Sequence, residues 1–213
     1  MDVQKPNERG RGRPKKGREY DADSLFEAAV ACFAEQGFDK TSLRTIAVRA
    51  GVDVALISYR YGSKLGLWTA VVDAVAQETL TQLAVSREES RHSPLDEQLH
   101  RLCIDLVHLV NRRPLFAQIL ISEIMTSADN ERKTVIEQKL ANPIYGLLLK
   151  YIQEIRGEEE TGAKDRKLAV VAAISLIGVV VPTRTFLRRF VPIGDEPDRL
   201  LEELADIVKQ MLT

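Results

Sequence analysis

The sequence predicts an all-α protein with about nine helices. Apolar residues recur at the three- and four-residue spacing of amphipathic helices along most of the 213-residue chain, and no stretch of useful length alternates as a strand does. Glycine, proline and short polar stretches separate these periodic segments. With 45% hydrophobic and 29% charged residues, the composition is that of an ordinary globular protein.

The first predicted helix is short and amphipathic. Ser24 and Glu27 have the spacing of a capping box at its start. Gly37 supplies its stop. Between these signals the apolar residues fall on one helical face.

A second and a third short helix follow directly. Thr41 or Ser42 can cap the second helix, which ends before Gly51. Asp53 is a good N-cap for the third helix, which runs over Val54–Tyr61. Two short helices joined by a turn that contains glycine form a helix-turn-helix.

Six longer helices are predicted in the rest of the chain. A polar stretch, an Arg-Arg pair, a Ser-Ala-Asp turn and an acidic loop separate them. The predicted segments are 63–87, 95–111, 114–126, 130–156, 165–190 and 196–212.

Cysteine content and apolar runs indicate the cellular compartment. Cys32 and Cys103 are too few for a disulfide framework or a cysteine-based zinc site. The N-terminus is charged where a signal peptide would be apolar. The longest nearly apolar run, Leu168 to Pro182, falls short of the roughly 18–20 residues that span a bilayer. We therefore expect a cytoplasmic protein with no membrane segment.

Positive charge is concentrated at the N-terminal end. Residues 1–66 carry a formal charge of +3 and the remainder −4. Residues 9–18 contain six positive charges and no acidic or large apolar residue, so this segment cannot join a core. We predict a disordered basic arm over residues 1–18, with an anionic partner.

A family resemblance rests on residues 25–64. The features that carry it are Ala28-Ala29, Phe33, Gly37-Phe38, Thr41-Ser42, Ile46-Ala47, Ala50-Gly51-Val52, Ile57, Tyr59, Tyr61, Ser63 and Lys64. In these positions the chain resembles the DNA-binding domain of the tetracycline-repressor (TetR) family of bacterial transcription regulators. The resemblance implies a helix-turn-helix DNA-binding domain at 19–66, followed by a helical effector-binding and dimerisation domain at 67–213.

The resemblance assigns side chains to bases and to phosphates. The start of the third helix enters the major groove, and the second helix presents one arginine outward. The residues expected near bases are Arg44, Asp53, Val54, Ala55 and Ser58. The residues that match phosphate-binding positions of the family are Thr41, Tyr59, Arg60 and Lys64. The alternatives are that Tyr59 and Arg60 are merely solvated and that Val54 belongs to the core.

The basic arm contains a short motif of its own. Arg11-Gly12-Arg13-Pro14 looks like the core of an AT-hook, in which two arginines lie along a narrow A·T minor groove. Its place before a helix-turn-helix is like that of a homeodomain arm. The alternative is a nonspecific solubilising or targeting tail.

The last two predicted helices are candidates for a dimer interface. Residues 168–181 are apolar nearly all round, and residues 200–211 carry a second apolar stripe. In the family the last two helices of each protomer form a four-helix interface, so the resemblance implies a homodimer. The alternative is that both helices are internal core.

The family binds small effectors among its middle helices, and several residues there are candidates for a pocket. They are Cys103, Phe116, Glu123, Tyr145 and Ser175. Glu123 is the strongest candidate, because it shares a face with apolar residues and a buried carboxylate needs a partner. That partner is either a ligand donor or, as the simpler alternative, Arg113, an exposed turn or solvent.

No constellation for catalysis occurs in the sequence, and we predict neither cofactor nor metal site. G-x-S-x-G, P-loop, G-x-G-x-x-G, HExxH and CxxC motifs are all missing, and the three histidines, at 92, 100 and 108, are widely spaced. We expect a ligand-responsive repressor that binds a palindromic operator as a dimer and is released by a small molecule. The alternatives are an effector-independent architectural protein for A·T-rich DNA, and a ligand carrier or enzyme with a vestigial helix-turn-helix.

Overall fold

The predicted all-α fold is confirmed by the computed structural model, which describes residues 21–126, 130–156, 163–190 and 198–212. These ranges hold nine helices when the three consecutive segments between 131 and 156 are counted as one. The helices are α1 (Ala22–Lys40), α2 (Leu43–Ala50), α3 (Val54–Tyr61), α4 (Lys64–Ser90), α5 (Leu95–Arg112), α6 (Pro114–Met125), α7 (Glu131–Val135), a π-helical segment (Ile136–Ala141), α8 (Asn142–Arg156), α9 (Ala163–Leu187) and α10 (Arg199–Leu212).

The starts of the first helices show which capping predictions hold. Asp21, and not Ser24, caps α1: its carboxylate accepts from the backbone N–H of Asp23 at 3.1 Å, and the Ser24 hydroxyl donates to it. The predicted capping box is therefore wrong, since an acidic side chain three residues before Ser24 accepts from a free N–H group at the helix start. Ser42 caps α2 and Asp53 caps α3, as predicted.

The segment between 131 and 156 differs from the single α-helix that the sequence predicts. Its backbone stays helical throughout, but Ile136–Ala141 adopts the wider π-helical turn. Pro143 lies just after this segment and has no N–H to donate, and its ring clashes with the carbonyl four residues earlier. Widening the turn accommodates the proline without breaking the helix.

Two apolar clusters form the core. One joins α1, α2 and α3 to the first half of α4, and it continues into Phe116 and Ile119 of α6 and Ile136 of the π-helical segment. The other joins the end of α4 to α5, α8, α9 and α10. The three N-terminal helices, called the head below, thus share their core with the helices behind them.

Helix α9 carries apolar side chains on its exposed face as well as on its buried face. By length and composition alone, the segment Arg166–Leu187 is long enough and apolar enough to cross a membrane. The apolar run identified in the sequence, Leu168 to Pro182, is shorter. In the fold α9 packs against α5, α6, α8 and α10, and it contributes Val170, Ala173, Ile177 and Val181 to the second cluster. Its outer face remains apolar and exposed.

Candidate DNA interface and effector pocket

The helix-turn-helix is held in shape by two residues of its turn. Gly51 adopts the left-handed conformation (φ 67°) that ends α2. The Asp53 carboxylate then accepts from the backbone N–H of Ala55 at 2.8 Å and so begins α3. Ile46 and Ile57 turn inward and are fully buried, which leaves the opposite faces of both helices to solvent.

Most side chains predicted to contact DNA lie on that exposed surface. The exposed ones are Arg44, Asp53, Val54, Ala55, Ser58, Tyr59 and Arg60. Val54 is therefore outside the core, contrary to the alternative raised from the sequence. Tyr59 is 88% exposed, an unusual position for a large aromatic ring unless a partner covers it.

Val48 is an exposed residue that sequence reasoning missed. It is 78% exposed and lies four residues after Arg44, so the two side chains share the outward face of α2. An apolar residue next to a base-reading arginine can pack on a thymine methyl group. The four-residue spacing from Arg44 is the sequence signal that places Val48 on this face.

Thr41 points into the head, so its predicted phosphate contact is wrong for the side chain. It is only 2% exposed. Its hydroxyl donates to the Cys32 carbonyl at 3.1 Å and to the Gly37 carbonyl at 2.7 Å. These hydrogen bonds tie the start of α2 to the end of α1.

Lys64 also has an internal role that differs from the predicted phosphate contact. Its ammonium donates to the carbonyls of Phe38, Asp39 and Thr41 at 2.6, 3.1 and 2.7 Å. An ammonium has three donors, and all three are therefore occupied. Lys64 fastens the start of α4 to the turn between α1 and α2.

Phe38 is the centre of a cluster that joins the head to α7. Its ring lies 4.5 Å from the Lys64 ammonium and 4.4 Å from the Arg132 guanidinium carbon, both measured to the ring centroid. It also stacks on Phe33 and meets the edge of Trp68. Cations within about 6 Å of an aromatic face are attracted to its negative quadrupole.

Glu123 belongs to this cluster and not to a ligand site. Its carboxylate accepts from Arg132 Nε at 2.9 Å, and both side chains are largely buried, at 12% and 16% exposure. Arg132 also pairs with Asp39 of the head at 3.4 Å. The partner predicted for Glu123 thus exists, but it is Arg132 and neither a ligand nor Arg113.

A large cavity lies behind the head, with a volume of about 580 Å³. It is bounded by α4, α5, α6, α8, α9 and the π-helical segment, and its lining is mainly apolar. Phe116, Tyr145 and Ser175 line it, as predicted from the sequence. A volume of this size is typical of small-molecule sites.

Cys103 lies outside that cavity. It is fully buried in the second apolar cluster, among side chains of α5 and its neighbours. Burial raises the pKa of its thiol to about 12, so the thiol stays protonated at neutral pH. Cys103 therefore does not line the cavity with the other residues predicted to contact a ligand.

A family comparison agrees with the geometry of the head. Residues 25–71 match the model of bacterial regulatory proteins of the tetR family, and this range begins in α1 and ends in α4. Residues 25–71 therefore form a tetR-family domain. The match therefore covers the helix-turn-helix and the helix that links it to the cavity.

Two curated relatives of this chain are named as bacterial regulators. It is 30% identical over 125 residues to the probable HTH-type transcriptional regulator YttP of Bacillus subtilis, covering 54% of this chain and 60% of YttP. It is 42% identical over 62 residues to the HTH-type transcriptional regulatory protein RaaS of Mycobacterium tuberculosis, covering 29% of each protein. The matches thus span less than two thirds of either relative.

Solved TetR-like structures share the fold over nearly the whole chain. The fatty acid degradation regulator FadR of Bacillus halodurans superposes with a TM-score of 0.68 at 21% identity, over 93% of this chain and 96% of FadR. A TetR-like transcriptional regulator from Rhodococcus sp. RHA1 gives 0.66 at 18% identity, over 93% and 96%. FadR of Bacillus subtilis, solved in complex with stearoyl-CoA, gives 0.66 at 18% identity, over 90% and 97%.

The predicted basic arm lies outside the described residues. Arg11 and Arg13 therefore have no structural account, and both the disorder of residues 1–18 and the minor-groove contact stay predictions. The described chain begins at Asp21, directly before the head.

Replacing Lys64 with methionine tests its structural role. Methionine keeps an apolar stem but removes the charged donor, and a hydrogen bond to a charged group contributes about 1.5–3 kcal/mol. We expect the free energy of unfolding to fall by about that amount in urea titrations. The exposed Lys40 of the same turn is the control, and its methionine variant should unfold as the wild type does.

The salt dependence of DNA binding distinguishes this role from a phosphate contact. A lost phosphate contact would lower the log–log salt slope by about 0.9. An unchanged slope in Lys64→Met is expected, and a drop of that size with normal stability would restore the phosphate assignment.

Proposed function

We propose that this protein is a homodimeric transcription regulator of the cytoplasm that binds a palindromic operator and is released from it by a small molecule. The observation that carries the proposal is the exposed surface of α2 and α3. Arg44 and Tyr59 face solvent there, while the buried faces of the same helices hold them in position. A helix-turn-helix places such a surface in the major groove.

The proposed contacts follow from the side chains that the surface presents. Arg44 is long enough for a bidentate contact to guanine, and Val48 and Val54 supply apolar groups for thymine methyls. Tyr59 and Arg60 hold phosphates, and the N-terminal arm adds minor-groove contacts through Arg11 and Arg13. Asp53 acts chiefly by fixing the start of α3.

Dimerisation is proposed through α9 and α10. Leu168, Val179 and Phe186 are exposed and lie along one face of α9. Ile207 and Met211 of α10 add to the exposed apolar surface. A second copy of the chain would cover these side chains by a two-fold, self-complementary contact, and would bring two heads to two half-sites.

The effector is proposed to bind in the cavity of about 580 Å³. Its lining favours a largely apolar molecule, because most of the side chains there are hydrophobic. The similar fold of Bacillus subtilis FadR, solved with stearoyl-CoA, supports an effector with an apolar chain. The shared cluster around Phe116 and Ile136 joins the cavity to the head and gives a route for coupling.

Arg44→Ala tests the DNA-binding role. We expect a randomised-site selection to show relaxed preference at one base position in each half-site, since a bidentate base contact contributes about 1–3 kcal/mol of discrimination. Arg49→Ala is the matched control: Arg49 lies on the same helix but pairs with Glu35 of α1 at 2.7 Å, so the preference should not change. An Arg44→Ala selection that returned the wild-type preference would contradict the assignment.

A further inference from the structure

One charged side chain interrupts the apolar lining of the effector cavity. Among the described residues that line it, Arg113 is the only one with an ionised group. It lies between α5 and α6, where the chain turns, and its side chain is partly exposed. A cation at the edge of an apolar cavity offers an electrostatic partner to an anion whose remaining part is apolar.

The partner that Arg113 has in this structure is Glu78 of α4. Arg113 Nε and Nη2 both donate to the same oxygen, Glu78 Oε2, at 3.2 and 2.9 Å. Both side chains are more than a third exposed, and ion pairs of this kind contribute only about 0–1 kcal/mol. A competing anion that is held in place by an apolar tail can therefore replace the Glu78 carboxylate.

The same ion pair borders a second cavity, next to the head. This cavity has a volume of about 380 Å³ and is lined by Glu78, Arg113 and residues of α1, among them Asp23 and Phe26. Arg113 thus faces the effector cavity on one side and a space beneath the head on the other. A change in its partner alters the charge balance at both places.

We infer that the cavity binds an amphiphilic anion, with its apolar chain in the cavity and its anionic group on Arg113 in place of Glu78. This inference rests on the proposed effector role of the cavity. The released Glu78 carboxylate then faces Asp23 across the second cavity, and two like charges there disfavour the present position of α1 against α4. Binding of the ligand's anionic group is in this way linked to the position of helices α1–α3.

A matched pair of ligands tests the inference on the full-length protein. Dodecanoate and dodecan-1-ol share an alkyl chain and differ in the charge of the polar end. In calorimetric titrations we expect dodecanoate to bind about tenfold or more tightly than dodecanol, since charge-assisted hydrogen bonds are the stronger ones. Dodecanoate should also weaken operator binding more than dodecanol does.

Two variants should shift the preference in opposite directions. Arg113→Gln should abolish the preference for dodecanoate over dodecanol. Glu78→Gln should tighten dodecanoate binding several-fold, because the internal competitor for Arg113 is weakened. A merely structural ion pair would give losses in both variants. Arg112→Gln is the control, since Arg112 is adjacent in sequence but bonds to Gln82 and lies outside the cavity lining.

The outcomes separate the inference from the proposed function. One outcome is that both ligands bind and release the operator, yet Arg113→Gln keeps the preference for dodecanoate. The assignment of the anionic group to Arg113 is then overturned, and the effector role of the cavity stands. If dodecanol binds as tightly as dodecanoate to the wild type, the assignment is overturned in the same way. If neither ligand binds the wild type, the inference fails together with the assignment of the cavity to alkyl effectors.

Discussion

Replacing Val179 with aspartate is expected to convert the protein to a monomer and to weaken its binding to a two-half-site operator. Val179 is 47% exposed on the outer apolar face of α9 and does not line the effector cavity. In a two-fold interface the substitution occurs twice. Burying a polar group without a partner costs about 1–3 kcal/mol in proteins, so two copies weaken dimerisation roughly 30-fold to 20,000-fold.

Sedimentation measures the association state, and titration of full and half operators measures the effect on DNA binding. Val85→Asp is the matched control, because Val85 is also apolar and 53% exposed but lies on α4. The control should remain a dimer with normal operator affinity. A Val179→Asp variant that sediments as a dimer would place the interface elsewhere.

Replacing Trp68 of α4 with alanine is expected to cause the largest loss of stability among single substitutions in the core that α4 shares with the head. Trp68 is fully buried, and its ring meets the edges of Phe33 and Phe38 at 5.5 and 6.1 Å between centroids. Truncation of a large buried aromatic residue typically costs about 3–5 kcal/mol. Urea titration followed by circular dichroism measures the change.

Trp68→Phe is the informative companion variant. The Trp68 indole N–H is buried and has no hydrogen-bond partner in the described part of the chain. A buried unsatisfied donor costs about 1–3 kcal/mol, so its removal offsets part of the packing that the smaller ring loses. We expect less than half the loss seen with alanine. Equal losses in the two variants would show that the indole N–H is satisfied in solution.

Local features of the fold were predictable from the sequence, because their causes lie within a few residues. The caps Ser42 and Asp53 and the turn at Gly51 depend on side chains adjacent to the backbone groups they satisfy. The same local reasoning placed Arg44 on the outward face of α2, whereas the DNA-contacting position of Tyr59 was inferred from the family resemblance. The widened turn before Pro143 was missed because the sequence analysis extended one α-helix over 130–156, although a proline in a helix interior lacks the N–H donor and clashes with the preceding turn.

Roles that depend on distant partners could not be read from the sequence. Lys64 meets carbonyls more than twenty residues away, and Arg132 reaches Asp39 of the head across the fold. Glu123 was recognised as a buried carboxylate in need of a partner, but α6 and α7 had to be positioned before that partner could be named. Cys103 was misplaced for the same reason, since periodicity gives the buried face of a helix and not the helix that covers it.

The position of Trp68 has a spectroscopic consequence. It is the only tryptophan of the chain, and it lies in the core that α4 shares with the head, outside the lining of the effector cavity. Its emission therefore reports on the packing of Phe33 and Phe38 against the indole, and a ligand in the cavity does not touch the fluorophore. A change in emission wavelength during an effector titration would thus be a label-free signal that the occupied cavity has altered the DNA-binding end of the molecule.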